Sequence, residues 1–163
     1  MRIIGGSHKG YEIKMPRQIR PTSGLVRESI FNVIGDVILG ARVLDLFCGS
    51  GALGLEALSR GARSVTFVEK DRRVTRVLIE NIKNLGCSDF NVINTDAMRL
   101  SVANTYDIIF ADPPYDRGYT ERIIKKFEKF VNILVIEHSV REELDVGETR
   151  RYGDTLVTYI WNL

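Results

Sequence analysis

The run Val43-Leu44-Asp45-Leu46-Phe47-Cys48-Gly49-Ser50-Gly51-Ala52-Leu53-Gly54 decides the fold class of this chain. Its apolar first half predicts a buried strand, its glycines break that strand, and Leu53 to Arg60 continues as a helix. Gly49, Gly51 and Gly54 fit G-x-G-x-x-G, a spacing that permits a tight turn and close approach of backbone to a nucleotide cofactor. That spacing alone is weakly specific, and two acids refine it. Glu69 closes the next apolar run, Val65-Thr66-Phe67-Val68, at the distance where a carboxylate grips ribose hydroxyls. Asp45, just below the glycine turn, would repel a pyrophosphate and suits instead the cationic end of S-adenosylmethionine. The cofactor indicated is therefore the sulfonium rather than NAD.

Outward from this turn, strands and helices alternate, which predicts a Rossmann-like, doubly wound α/β fold with a mostly parallel sheet and helices on both faces. Strands are expected at 41–47, 64–69, 90–94, 106–111 and 132–137, and a last one at 156–161 pairs as an antiparallel hairpin with residues near 150–152. A helix capped by Thr22 or Ser23 carries Leu25, Val26, Ser29, Ile30, Val33 and Ile34 at helical spacing. Another carries Val74, Val77, Leu78, Ile82 and Leu85 and stops at Gly86, and Ile123, Ile124, Phe127 and Phe130 mark a third. Gly5-Gly6 and Gly10, set between short extended stretches, predict an N-terminal β-hairpin extension.

The strand 106–111 runs into Asp112-Pro113-Pro114-Tyr115, at the carboxyl end where open α/β sheets place their ligands. An amino group on an aromatic ring is a poor nucleophile, because its lone pair is delocalised into the ring. Asp112 can accept one of its N–H groups and the Pro113 carbonyl the other, while Tyr115 stacks on the ring, a contact worth about 1 to 3 kcal/mol per base. Pro113 and Pro114 fix φ and donate no backbone hydrogen bond, so the acceptors stay aimed. Asp-Pro-Pro also occurs where a strand merely ends in a turn. Its coexistence with the glycine turn favours a site for modifying a nucleobase amine.

These residues resemble the class I S-adenosylmethionine-dependent methyltransferases whose D-P-P-Y type motif methylates exocyclic amines. Arg2-Ile3-Ile4-Gly5-Gly6, Arg20-Pro21-Thr22, the stretch 26–32 and the stretch 51–61 extend the likeness over nearly the whole chain. They are similar to the bacterial RsmD-type 16S rRNA guanine-N2 methyltransferases. The resemblance implies direct in-line methyl transfer, with Asp112, Pro113, Pro114 and Tyr115 as the catalytic set. Asp45, Phe47, Gly49, Ser50 and Gly51 are expected around the methionine part of the cofactor, with Asp112 close by. Glu69 is expected on both ribose hydroxyls, Lys70 over the adenine ring, and Asp96 with the Ala97 amide at the adenine edge. Arg20 and Thr22 suit either the cofactor carboxylate or a substrate phosphate. Guanine N2 lies on the minor-groove edge, so the target base must be unpaired or flipped out. The implied partner is 16S rRNA, in a partly assembled small subunit, and the enzyme is expected to act as a monomer.

Residues 1 to 30 hold Arg2, Lys9, Lys14, Arg17, Arg20 and Arg27 against Glu12 and Glu28, a balance of +4 in a chain whose net charge is +2. Such a basic end on a mildly acidic body fits a phosphate-binding extension, and Arg2, Lys9, Lys14, Arg17 and Arg20 are the expected RNA contacts. The competing reading is an edge hairpin whose lysines guard against aggregation.

At 163 residues the chain is expected to form one domain, with 1–20 as a basic β-hairpin arm for RNA and 21–163 as the catalytic core. No apolar run approaches the roughly 20 residues that span a bilayer, and no signal-peptide pattern follows the basic start. A cytoplasmic protein without a metal cofactor is expected, with Cys48 and Cys87 reduced. Cys48 sits in the cofactor turn, where a small side chain explains it without a catalytic thiol. An NAD oxidoreductase leaves Asp112 to Tyr115 unexplained, and a noncatalytic RNA-binding module needs neither motif. A DNA adenine-N6 methyltransferase shares the four-residue chemistry and is the nearest alternative.

Overall fold

The computed structural model describes residues 1–19 and 22–162; Arg20, named above as a contact to RNA or cofactor, lies outside the described residues. Among the described residues, seven strands form one sheet: β1 (Arg42–Leu46), β2 (Ser64–Val68), β3 (Phe90–Ile93), β4 (Tyr106–Ala111), β5 (Val131–Ser139), β6 (Glu148–Tyr152) and β7 (Thr155–Trp161). Their order is β3-β2-β1-β4-β5-β7-β6. β1 to β5 are parallel, and β7 enters antiparallel between β5 and β6. The order reverses between β1 and β4, which places a crevice at their carboxyl ends.

The central strands are buried on both sides, and their alternation sorts side chains into two cores. Val43, Phe67, Ile108 and Phe110 pack with α1 (Gly24–Ile34), α2 (Ala52–Ser59) and α3 (Arg72–Leu85). Leu44, Leu46, Ile109 and Ala111 pack with Ile123 and Phe127 of α4 (Tyr119–Phe127) on the other face. The expected α/β architecture is therefore present, including the C-terminal hairpin, which turns at Gly153 with φ 62°. β5 runs two residues past its expected end because His138 and Ser139, polar in sequence, continue the pairing with β7. His138 is fully buried there, its Nε2 2.8 Å from Thr158 Oγ1.

α1 departs from its predicted face. Ser23 is its cap, accepting from Val26 N at 3.2 Å. The buried stripe is Val26, Arg27, Ile30, Phe31 and Ile34, whereas Leu25 is 68% exposed. The stripe turns because Arg27 is drawn inward by Glu56 of α2, a partner that periodicity cannot reveal. Glu56 is wholly buried, and its carboxylate accepts from Ile4 N (2.9 Å), Gly5 N (2.8 Å) and Arg60 Nε (2.8 Å), with Arg27 Nη1 at 3.9 Å.

The N-terminal hairpin reduces to one bridge, Arg2 with Glu12, and its Ile3 and Ile13 are buried in the core. It is therefore packed down rather than projecting. Its tip rests on the last residue of α2: Ser7 N donates to Ser59 O and His8 N to Ser59 Oγ.

Candidate active site

A cavity of about 880 Å³ opens at the carboxyl ends of the parallel strands, within the range of small-molecule and cofactor sites. Every strand end in the crevice contributes to its wall: Phe47 and Gly49 after β1, Glu69 and Lys70 after β2, Asp96 and Ala97 after β3, and Asp112 to Tyr115 after β4. The structure thus gathers these expected cofactor and catalytic residues around one space. Ser50, Gly51 and Asp45 do not line it.

Asp45 instead holds the glycine turn from below. It is 2% exposed, and its Oδ2 accepts from Gly54 N at 2.9 Å. A Cβ on Gly54 would stand 2.3 Å from the Phe67 ring and 2.9 Å from that carboxylate, so the third glycine of the motif serves close packing. Gly51 caps α2 with φ 85°, where a side chain is strained. Ser50 is buried, and its carbonyl accepts from Asn81 Nδ2 at 3.2 Å. In this geometry the three build the turn that Gly49 presents to the cavity.

Burial raises the Asp45 carboxyl to about 7, opposed by the Gly54 N–H and reinforced by Glu69. A carboxyl whose folded pKa lies above its ordinary 3.8 loses stabilisation as it ionises, so stability falls from about pH 4 to about pH 7 and then levels off. Asp45→Asn keeps an oxygen acceptor for Gly54 and cannot ionise. In urea titrations without cofactor, the stability of the variant should gain on that of the native chain by a few kcal/mol across this window; parallel pH curves would refute the assignment. Burial, then Asp45 and Glu69, push the Cys48 thiol well above its ordinary range, which leaves it protonated and unsuited to nucleophilic attack.

Glu69 is fixed at both oxygens: Oε2 accepts from Gly49 N at 3.1 Å and Oε1 from Asp71 N at 2.9 Å. It thereby ties the glycine turn to the β2 end and faces the cavity. Asp96 also lines the cavity while capping Met98 N at 2.8 Å, so capping and cavity roles coexist there.

Asp112 receives a hydrogen bond from Thr22 Oγ1, 3.1 Å from its Oδ2. Thr22 and Asp112 are ninety residues apart, so sequence spacing gives no signal of this pairing. Tyr115 donates its hydroxyl to Glu137 Oε1 at 2.6 Å and lies 3.2 Å from Thr155 Oγ1. Burial and the Glu137 bond raise the phenol above its ordinary value, keeping it a neutral donor. Sequence reasoning missed Glu137, Thr155 and Tyr152 as parts of this wall. The position of Glu137 at the carboxyl end of β5 was a usable signal; the fold-back of the β6–β7 turn over the crevice was not.

Of the expected RNA contacts, Lys9 belongs to the hairpin tip, at the far end of α2 from the cavity, about 12 Å along an eight-residue helix. Lys14 pairs with Glu80 at 3.1 Å, and the Arg2 carbonyl accepts from Arg27. The structure does not bring Arg2, Lys9 and Lys14 to the cavity. Arg17 is exposed beside Gln18 and Ile19, which line it.

The model of the family described as "Conserved hypothetical protein 95" matches residues 1–161. The "Ribosomal RNA small subunit methyltransferase D" of Escherichia coli (strain K12) is 43% identical over 132 residues, covering 78% of this chain and 67% of that protein. The chain belongs to the RsmD-type methyltransferase family. The provisionally named rRNA methyltransferase YlbH of Bacillus subtilis (strain 168) is similar to this member over 97% of the chain and 91% of its own length, at 36% identity. The solved structure of Escherichia coli yhhF, provisionally named a methyltransferase, matches this RsmD-type fold with a TM-score of 0.88 and 35% identity, covering 98% of this chain and 96% of that one. RsmD-type membership makes this chain a methyltransferase, and S-adenosylmethionine its methyl donor.

Proposed function

We propose that this enzyme transfers a methyl group from S-adenosylmethionine to the exocyclic N2 amine of a guanine in 16S rRNA. The observation that carries the reading is Asp112, oriented by Thr22 and flanked by Pro113, Pro114 and Tyr115, facing the same cavity as Glu69. The names of the RsmD-type relatives support ribosomal RNA as the substrate class and do not favour DNA adenine.

S-adenosylmethionine would supply an electron-poor methyl group: its S–CH3 bond breaks as the N–CH3 bond forms, S-adenosylhomocysteine leaves as the neutral thioether, and the amine gives up one proton, which passes to solvent. Glu69, anchored by two backbone amides, presents its carboxylate for ribose hydroxyls, and Lys70 and Asp96 flank the adenine end of the same space. Asp112 accepts an N–H of the guanine amine and, with the Pro113 carbonyl, draws the nitrogen toward tetrahedral geometry. Tyr115, its hydroxyl tied to Glu137, holds its ring as one wall of the base slot. Positioning and amine polarisation supply most of the acceleration. The enzyme acts as a single-domain monomer in the cytoplasm, on an unpaired or flipped guanine in the partly assembled small subunit, with Arg17 and Arg20 as RNA contacts.

Incubation with labelled cofactor and small-subunit rRNA or duplex DNA, followed by digestion to nucleosides, tests the reading. Label in N2-methylguanosine is expected; label in DNA adenine would replace it. Glu69→Ala should weaken cofactor binding by about 1.5 to 3 kcal/mol, the range for hydrogen bonds to a charged group, in a chain that still folds. Unchanged affinity in calorimetry would remove Glu69 from the ribose site.

A further inference from the structure

The first, second and fifth residues of α3 are Arg72, Arg73 and Arg76, all exposed, and its first turn carries no acid. Cations at this end oppose the helix dipole, so they do nothing for the helix itself. Lys14, Arg27, Arg60, Arg141 and Arg150 each have a carboxylate partner. Among the described residues these three arginines have none, as is true of other surface cations, and what sets them apart is that they cluster at one end of α3. The neighbouring acids are turned to the backbone: Asp71 caps Arg73 N at 2.8 Å, and Glu69 takes the Gly49 and Asp71 amides.

The patch leads to the cavity. Lys70, exposed, lines its wall together with Asp71 and Val74. From the other side, Lys14 is tied to α3 through Asn81 and Glu80, after which the chain reaches the wall at Gln18 and Ile19. Arg17 lies between those anchors, exposed. From Arg72 to Arg76 the helical rise covers about 6 Å, so the three arginines sit within about one turn of the helix.

We propose that Arg17, Lys70, Arg72, Arg73 and Arg76 form a phosphate track that binds the RNA backbone beside the cavity mouth. The proposal rests on the rRNA reading above and relocates RNA contact from the hairpin tip to the flank of α3. Phosphates flanking a base seated in the cavity must lie near its mouth. RNA held at Lys9 would have to pass the length of α2.

The test uses the full chain, a small-subunit rRNA transcript and the triple variant Arg72→Gln/Arg73→Gln/Arg76→Gln, with affinity measured at several salt concentrations. The variant should bind RNA at least tenfold more weakly and flatten the salt slope by about 0.7 to 0.9 log units for each phosphate it no longer neutralises. Its cofactor affinity should stay within twofold and its thermal midpoint should hold or rise. The corresponding triple lysine variant should keep the slope, and Lys9→Gln should change nothing. Unchanged affinity and slope in the glutamine variant, or a weakening produced by Lys9→Gln, overturns the track. Methyl transfer by the native chain judges the rRNA reading separately: native protein that binds RNA and transfers no methyl refutes that reading, while the salt slopes still decide the track.

Discussion

Asp112→Ala is expected to lower the rate of methyl transfer by at least about 10² to 10³-fold, the loss seen when a preorganised group facing developing charge is removed, while cofactor affinity stays largely intact. The asymmetry follows from the role given to the carboxylate. It acts on an amine whose lone pair becomes available only as the nitrogen leaves the plane of the ring, so its contribution is realised in the transition state. Thr22 donates to one of its oxygens, and the two prolines after it stiffen the loop. The truncation is therefore expected to remove an acceptor without moving the wall. Single-turnover rates with rRNA and calorimetry with the cofactor check both halves. Turnover within threefold of the native enzyme would rule out the polarised-amine mechanism.

Glu56→Ala should cost about 3 to 5 kcal/mol of folding stability, the range for breaking a buried ion pair from one side. Glu56 is 0% exposed and Arg27 3% exposed, so the substitution leaves a guanidinium in the core without its counter-charge. Burial already lowers the pKa of Arg27, and Glu56 opposes that shift. The Ile4 and Gly5 amides lose their acceptor at the same time, which loosens the N-terminal segment from α2. For a domain of this size the thermal midpoint should fall by about 10 °C, read by calorimetry or circular dichroism. A midpoint within about 2 °C of the native one would show that the cluster contributes little. A milder loss in Glu56→Gln, which keeps an oxygen for the two amides, would separate hydrogen bonding from charge.

Much of the architecture is legible locally. β4 falls where its apolar run predicts, Tyr106–Ala111, and Gly86 ends α3 in the left-handed conformation, φ 70°. The two motifs predict one crevice because parallel strands deliver their carboxyl ends to the same edge. The misreadings share a different cause. Helical spacing puts Leu25 on the apolar face of α1, and charge counting puts Arg27 in a basic extension. In the fold Leu25 is exposed and Arg27 buried, because Glu56 lies across the helix interface. Lys14 adds to a free positive end in the count and is paired with Glu80 in space. The bond by which Asp45 accepts from Gly54 N is likewise set by the fold, and its place beside the glycines does not announce it.

The sequence by itself determined the alternation of elements, the glycine turn, the acid after β2 and the Asp-Pro-Pro-Tyr loop, because each depends on residues close together in the chain. The tertiary structure alone decided what those groups face. It joined Thr22 to Asp112 and Glu137 to Tyr115, buried Asp45, carried the hairpin tip to the far end of α2 and left Arg72, Arg73 and Arg76 exposed on α3 without a carboxylate partner among the described residues. The physical reason is that burial and pairing are set by whichever surfaces the packed sheet and helices bring together. A charge counted along the chain has no sign of its own for function until its neighbours in space are known.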